Sequence, residues 1–564
     1  MNLLDWLVLL LSLVVIAGLG VYKNRKQKDL KSYLLADQSL PWHTVGISIM
    51  ATQASAITFL SAPGQAYTQG MGFVQFYLGL PLAMIVLSIW VIPVYHKLNI
   101  YTAYQFLESR LDYKTRALAA FLFLIQRGLA AGLTIYAPAI ILSALLHWNI
   151  YLTNLLIGGL VVIYTTVGGS AAVGQTHKQQ MTIILLGMLL AGVFMVMTLP
   201  ENVSFSSALR LSGAMGKLET LDFNFDLSNK YNFWSGLIGG FFLMLSYFGT
   251  DQSQVQRYLS AGSMTQSRLG LLFNGLLKIP MQFSILLLGA LLVVWYLFIN
   301  PPLYFNQEAL DQMKGTEATA RMEQLKDKHQ ELVEQRKSVA LRAADALDKG
   351  NDLEFEQVKS ELQSAQKDFE GNQAQVRQLM DEQTGRKGNS DTNYIFLRFV
   401  LDYFPPGLIG LLIAVIFAAS MSSTSSELNA LATTTMIDLY QRGFKPKPDD
   451  RRDLFLSKLF TAGWGMFAIG LAMFAGQLGS LIEAVNVLGS LFYGTILGIF
   501  MVAFFFKYCR GTSVFFAAIL AEVVVLLFYF FSNITFLWFN LIGCVLVLIF
   551  SLLLQALFRL AKTR

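Results

Sequence analysis

Gly46-Ile47-Ser48-Ile49-Met50-Ala51-Thr52-Gln53-Ala54-Ser55-Ala56-Ile57-Thr58-Phe59 lies inside an apolar run of about residues 40–61. A helix that faces lipid is built from Leu, Ile, Val and Phe, but the middle of this one carries small, hydroxyl and amide side chains. Polar groups in hydrocarbon are costly and usually functional. Two readings of the stretch stay open. It is either a helix broken at its centre, with exposed carbonyls that line a cavity or bind an ion, or a seam of small residues packed on a neighbour. A second run, Ala418-Ala419-Ser420-Met421-Ser422-Ser423-Thr424-Ser425-Ser426-Glu427-Leu428-Asn429, places six hydroxyls in seven positions and then a carboxylate. One or two hydroxyls can bond back to the preceding turn, but six exceed what packing requires. Hydroxyl and carbonyl oxygens suit a hard cation, and with so few carboxylates that cation is monovalent. A third run, Ser246 to Tyr258, interrupts a helix at Gly249 beside Asp251 and Gln252; its plainer reading is a helix end.

The rest of the chain is apolar in the same way. Its 564 residues are 54% hydrophobic and only 14% charged, against roughly 25% charged in soluble domains, and mean hydropathy is +0.51. About 20 apolar residues cross a bilayer. That criterion predicts thirteen spans, near 3–22, 40–61, 72–95, 117–146, 151–167, 178–199, 233–250, 268–299, 396–435, 455–476, 479–507, 511–531 and 534–558. Lys23, Arg25, Lys26, Lys28 and Lys31 follow the first span, and a signal peptide would carry such charges before it. Because cytoplasmic loops hold the Lys/Arg excess, the N-terminus is expected outside. Basic loops at 96–116, 257–268 and 442–458, together with Arg559, Lys562 and Arg564, then fall inside. Cys509 and Cys544 imply no disulfide framework. A basic excess spread over short loops is not the face or stripe of a nucleic-acid binder.

Residues 301–390 break the pattern, with 17 acidic and 13 basic residues. Apolar positions recur near heptad spacing at Leu325, Leu332 and Val339, then at Val358, Leu362, Ala365, Phe369 and Val376, either side of Asp348-Lys349-Gly350-Asn351-Asp352. An antiparallel helical hairpin is expected, on the outside, with His329 as a plain helix-face residue. The expected units are 1–38 (first helix and linker), 39–299 (first repeat and start of the second), 300–395 (insert), 396–507 (rest of the second repeat) and 508–564 (two terminal helices). No phosphate loop, HExxH, CxxC or GxSxG is present, and no enzyme activity is expected.

Three stretches together carry a family likeness: Tyr164-Thr-Thr-Val-Gly168-Gly169-Ser-Ala-Ala-Val173, Thr250-Asp-Gln-Ser-Gln-Val-Gln256-Arg257-Tyr258-Leu-Ser-Ala, and Ser422-Ser423 through Asn429 to Ile437-Asp438-Leu-Tyr440. The chain resembles the sodium:solute symporter family over about residues 1–300 and 396–564. The resemblance implies an all-α membrane protein with a LeuT-like inverted repeat of five helices plus five, spans two to six and seven to eleven. It implies a sodium site made by the carbonyls of Ala51, Ala54 and Ala419 and the hydroxyls of Ser422 and Ser423. A second site, found in some members, would use Ser425 and Ser426 with an aspartate where this chain has His177, so one sodium per cycle is expected. His177 and Glu427 could instead form an ion pair in place of that sodium, or be unrelated.

For substrate, the resemblance offers Gln53, Ser55, Thr58, Gln75, Arg127, Asp251, Gln252, Lys278 and Asn486. Arg127 would either clamp a carboxylate or pair with a carboxylate of the protein. The expected activity is sodium-coupled import of a small polar solute across the plasma membrane, in bacteria the inner membrane. A sugar or a carboxylated sugar such as sialic acid comes first; a small anion or monocarboxylate is the alternative cargo. From another class, the alternative is a transceptor or assembly protein whose hairpin binds an extracytoplasmic partner. The sodium ion, the substrate and the bilayer are the expected ligands.

Overall fold

The computed structural model describes residues 2–24, 34, 38–201, 203–313, 318–384, 390–444 and 449–561. The side chains of 16–24 and 168–176 also lie outside the described residues, and with them Lys23, Gly168 and Gly169. So do Arg25, Lys26, Lys28, Lys31, Lys562 and Arg564. The regular structure of the described residues is helical, with one isolated parallel bridge between Leu40 and Ala261.

The elements used below are α1 (Leu3–Asn24), α2 (Trp42–Gln53), α3 (Ala56–Gln69), α4 (Met71–Leu98), α5 (Tyr113–Leu146), α6 (Ile150–Met197) and α7 (Ser235–Gly249). They continue with α8 (Gln252–Leu259), α9 (Met264–Phe298), α10 (Thr319–Asp348), α11 (Asp352–Thr384), α12 (Thr392–Tyr403) and α13 (Leu408–Thr434). The last four are α14 (Asp450–Ala472), α15 (Leu481–Phe505), α16 (Gly511–Phe531) and α17 (Phe536–Leu560).

Among the described residues, ten helices are long and apolar enough to cross a membrane. The bent pair α2–α3 brings the number to eleven, rather than the thirteen expected. The first and seventh positions hold shorter apolar helices, Leu3–Val15 and Ser235–Gly249. The seventh is short because the chain leaves the helix at Thr250 (φ −130°) and restarts at α8. The expected span 396–435 is also corrected. Pro405 and Gly407 (φ +88°) end α12 and start α13 afresh at Leu408, since proline lacks an N–H and glycine alone tolerates that φ. The windows expected at 151–167 and 178–199 correspond to Ile150–Val167 and His177–Met197, which count as two of the ten although both belong to α6.

Burial separates the core from the lipid-facing wall. The most apolar window of α13 is 89% buried, whereas that of α17 is 28% buried and carries Leu553 and Leu557 outward. A helix hydrophobic on all sides but buried is a core helix, so α13, with its hydroxyl run, is central. The broken pair α2–α3 packs beside it and against α9. Small residues permit the close crossings: a Cβ at Gly289 on α9 would collide with the Pro63 carbonyl of α3, and one at Gly64 with the Thr392 carbonyl of α12.

The charged insert forms the expected hairpin of α10 and α11, turning at Gly350 (φ +66°). Its inner face rests on the ends of α3 and α9. His329 lies on the buried face of its helix. It is 5% exposed, its Nε2 lies 3.0 Å from the Pro301 carbonyl, and its ring sits 5.3 Å from that of Phe369.

Small-residue crossings of this kind leave no room to give. Gly289→Val should therefore lower the thermal midpoint of detergent-purified protein, with an overpacking cost of about 1–3 kcal/mol. Gly470→Ala, where a Cβ meets nothing within 4 Å, should leave it unchanged; equal effects would contradict the crossing.

Candidate functional site

The helix break between α2 and α3 has a definite hydrogen-bond cause. In an unbroken helix the Ser55 and Thr58 N–H groups would donate to the carbonyls of Ala51 and Ala54. Here Ser55 N–H donates to Gln53 O (3.1 Å) and Thr58 N–H to Ser55 O (2.9 Å). Ala54 leaves the helical region (φ −84°, ψ 76°), and the two halves meet at 59°. The carbonyls of Ala51 and Ala54 thereby lose their helical donors while buried, and a buried carbonyl without a partner is costly. The Ser422 hydroxyl of α13 donates to Ala51 O at 3.1 Å, and that of Ser423 to Ala419 O at 3.0 Å. One turn on, Ser426 Oγ lies 3.1 Å from Thr52 Oγ1. The contacts across the break thus join neutral oxygens, Ser422 with Ala51 and Ser426 with Thr52, while Ser423 bonds back within α13. That donor set fits a monovalent hard cation, because a hydroxyl that now donates can rotate and offer its lone pairs. Among the described residues, no cluster of His, Cys, Asp and Glu fits a tightly chelated metal.

Beside the break is a cavity of about 90 Å3 lined by Gln53, Ser55, Thr58, Phe76, Tyr77, Gln126, Arg127, Tyr247, Asn486 and Tyr493. Of the sequence candidates, Gln53, Ser55, Thr58, Arg127 and Asn486 reach it. The Oε1 atoms of Gln53 and Gln126 and the Nε of Arg127 are buried without a partner. Lys278 is fully buried with no partner for its ammonium, which lies 5.9 Å from the centroid of the Tyr77 ring on the cavity wall. Gln75 and Gln252 are absent from the lining. Gln75 ties α4 to Tyr231 O (2.8 Å) and accepts from Asp222 N–H (3.0 Å). Gln252 joins Tyr101 O (2.8 Å) and Ala103 N–H (3.1 Å). Both amides are braces.

Arg127 is already paired. One guanidinium nitrogen meets Asp251 and the Tyr493 hydroxyl, and the other donates to Glu427 at 3.1 Å. Asp251 also caps α8, accepting from Ser253 N–H at 2.8 Å, and accepts from the Tyr493 hydroxyl at 2.7 Å. Glu427 accepts from Thr134 at 3.0 Å, and Thr134 from Thr424 at 2.9 Å. This geometry bears on two pairs of readings that the sequence left open. Of the two for Arg127, the structure shows the guanidinium paired with carboxylates of the protein. The His177–Glu427 pair fails because Glu427 turns to Arg127 on α5, while His177 Nδ1 lies 2.8 Å from Ser48 Oγ. Ser425 bonds back to Ser422 O at 3.1 Å, as Ser423 does to Ala419 O. Tyr493, Thr134 and Tyr247 were not foreseen; a lone Tyr or Thr in an apolar span gives no signal until a charge is found against it.

A larger groove of about 730 Å3 between α6 and α9 is apolar, lined by Leu189, Met197, Leu277 and Met281 among others. Ser284 is the one polar side chain in its lining, which leaves nothing to orient a polar solute.

The profile of a family described as the sodium:solute symporter family matches residues 33–318 and 380–523. The sodium-dependent multivitamin transporter of Oryctolagus cuniculus is 25% identical over 514 residues, which are 90% of this chain and 67% of that protein. Sodium-coupled monocarboxylate transporter 2 of Mus musculus is 24% identical, over 89% of this chain and 68% of its own length. A sodium-coupled sialic acid symporter, solved substrate-bound and outward-open, superposes with a TM-score of 0.75 at 22% identity, covering 99% of this chain and 98% of that one. At that identity the likeness is one of fold.

Removing the guanidinium would leave two carboxylates facing each other in the core. Arg127→Ala should therefore destabilise by about 3–5 kcal/mol, whereas Tyr493→Phe, which removes one hydrogen-bonding hydroxyl, should cost about 1–2 kcal/mol. Thermal unfolding of the two purified variants checks the order; equal midpoints would contradict the cluster.

Proposed function

The chain belongs to the sodium:solute symporter family, and we propose that it imports a small organic anion, of the short monocarboxylate class, with sodium. As a family member it is a multi-pass, sodium-coupled transporter and not an enzyme. The observation that carries the proposed ion site is the pair of carbonyls freed at Ala51 and Ala54, with Ser422 already on the first. Sodium placed there draws α2–α3 onto α13 and favours the conformation in which the cavity is assembled; its loss relaxes both. Such coupling is a difference in ion affinity between two conformations. One sodium falling through the full membrane potential contributes roughly 2.3 kcal/mol per 100 mV.

Three observations support the anion. The cavity, at about 90 Å3, is far below the roughly 300 Å3 at which drug-sized ligand pockets begin, and it suits an acid of a few heavy atoms rather than a nine-carbon sugar acid. Arg127 is held by two carboxylates, while the Lys278 ammonium behind Tyr77 is unpaired. A buried ammonium without a hydrogen-bond partner is unfavourable, and a carboxylate solute supplies an acceptor once the Tyr77 ring turns aside. A relative that matches 89% of this chain is named for monocarboxylates. The Lys/Arg-rich loops support a cytoplasmic location for the side opposite the hairpin.

The test is uptake of radiolabelled short monocarboxylates into proteoliposomes. An inward sodium gradient should drive accumulation and a potassium gradient should not. Lys278→Gln should raise the half-saturating concentration of the acid at least roughly tenfold, the scale of one lost charge-assisted contact. Uptake that favours a neutral sugar and ignores Lys278→Gln would remove the anion and leave the sodium site standing.

A further inference from the structure

The family profile stops at residue 318 and resumes at 380, so the shared transport core does without most of the α10–α11 hairpin. The hairpin is nevertheless spliced into that core by an unbroken chain of hydrogen bonds. Arg336 of α10 donates to the Tyr296 carbonyl at the end of α9 (2.9 Å) and to Gln366 of α11 (3.1 Å). Gln366 donates to Glu370 (2.8 Å), Glu370 pairs with Lys217 (2.9 Å), and Lys217 donates to the Thr68 carbonyl (2.9 Å) in the last turn of α3. Arg336 is fully buried, with its guanidinium 3.8 Å from the centroid of the Phe369 ring. Lys217 is 6% exposed.

Each link has a physical role. A cation at a helix C-terminus satisfies orphaned carbonyls and opposes the negative end of the dipole. Lys217 does this for α3, and the hairpin carboxylate keeps it in place. The Lys217 carbonyl also accepts from Met71 N–H (2.9 Å), just beyond the turn at Gly70 (φ +75°). The chain therefore leaves α3 along a path that Lys217 brackets on both sides.

α3 is the half of the broken helix that Lys217 ties to the hairpin, and on that side it is hydrogen-bonded to the start of α15. Gln65 accepts from Ser480 (3.2 Å), Ser61 Oγ lies 3.4 Å from Ser480 Oγ, and Asn393 of α12 donates to Gly479 O (3.0 Å). Lys217 reaches Thr68 O and Glu370 together only while the end of α3 stays where it is. Tilting α3 away from Ser480 pulls one acceptor from the other.

We propose that the hairpin is a built-in strap that holds α3 closed against Ser480, through Glu370, Lys217 and Thr68, and so sets how often the pathway opens on the hairpin side. This is independent of which solute is carried. It differs from a docking role, in which the hairpin's contacts with α3 would be incidental. The strap acts through differential stability: contacts made only with α3 closed bias the equilibrium toward closed.

The test is a cysteine at Ser61, buried in this structure, in a Cys509→Ser/Cys544→Ser background, labelled by a membrane-impermeant maleimide added from the hairpin side. Glu370→Ala should speed labelling roughly fivefold, the scale of one partly buried ion pair. Replacing residues 319–384 with a short Gly-Ser linker should speed it at least as much, and it gives the answer should Glu370→Ala fail to insert. Arg210→Ala, which removes an exposed hairpin contact with Asp352 that does not reach α3, should leave the rate unchanged. A sodium-induced thermal shift in every variant verifies folding. Labelling at the parent rate in both strap variants would overturn the proposal, as would Arg210→Ala matching Glu370→Ala, which would mean general loosening of the hairpin.

Discussion

The Ser422 hydroxyl on the Ala51 carbonyl is the contact around which the remaining structure is arranged. A carbonyl without its helical donor is intolerable in hydrocarbon unless something satisfies it, so the break at Ala54 requires a hydroxyl-bearing neighbour, and that neighbour has to be buried. This places α13 at the centre of the molecule, turns its Ser and Thr run inward, and calls for small residues wherever other helices must approach. The close crossing of Gly289 on α9 with Pro63 on α3 meets the same requirement from the opposite side.

The second constraint is charge. Arg127, Asp251 and Glu427 would each be prohibitive alone in the core; together, with hydrogen bonds from the Tyr493, Thr134 and Ser253 hydroxyls, they form a tolerated cluster linking α5, α8, α13 and α15, in which only the Arg127 Nε lacks a partner. Such clusters fix one arrangement of helices because a partial arrangement strands a charge. The cluster walls the cavity on one side, and the unpaired Lys278 lies behind Tyr77. The asymmetry between a paired guanidinium and an unpaired ammonium is the basis for the proposed anion.

The sequence made some of this legible and hid the rest for identifiable reasons. The broken helix and the hydroxyl run were readable because polarity inside an apolar run has few structural excuses. The hairpin was readable because heptad spacing differs from the pattern of a membrane span. The partners of Arg127 were not, since an intramembrane Arg looks the same whether it waits for substrate or is held by carboxylates 124 and 300 positions away. Gln75 and Gln252 misled in the same way, as an amide bracing two backbones and an amide facing a ligand have identical local sequence signatures. The ninth span was drawn too long because Pro405 and Gly407 were averaged into an apolar window, although together they force a restart at Leu408. His329 lies four residues after Leu325 and three before Leu332, on the buried heptad seam of its helix, where a histidine was not read as a core position.

The account stands or falls on whether the oxygens freed by the break hold the ion. The direct measurement is equilibrium binding of radioactive sodium to purified wild-type protein and to the Ser422→Ala/Ser423→Ala double variant, with no solute present. Wild type should bind sodium saturably at one site per chain. The double variant, still folded by its thermal midpoint, should weaken that binding by roughly tenfold or more, the scale of losing two oxygen ligands at about 1 kcal/mol each. Undiminished binding in the double variant would contradict the account.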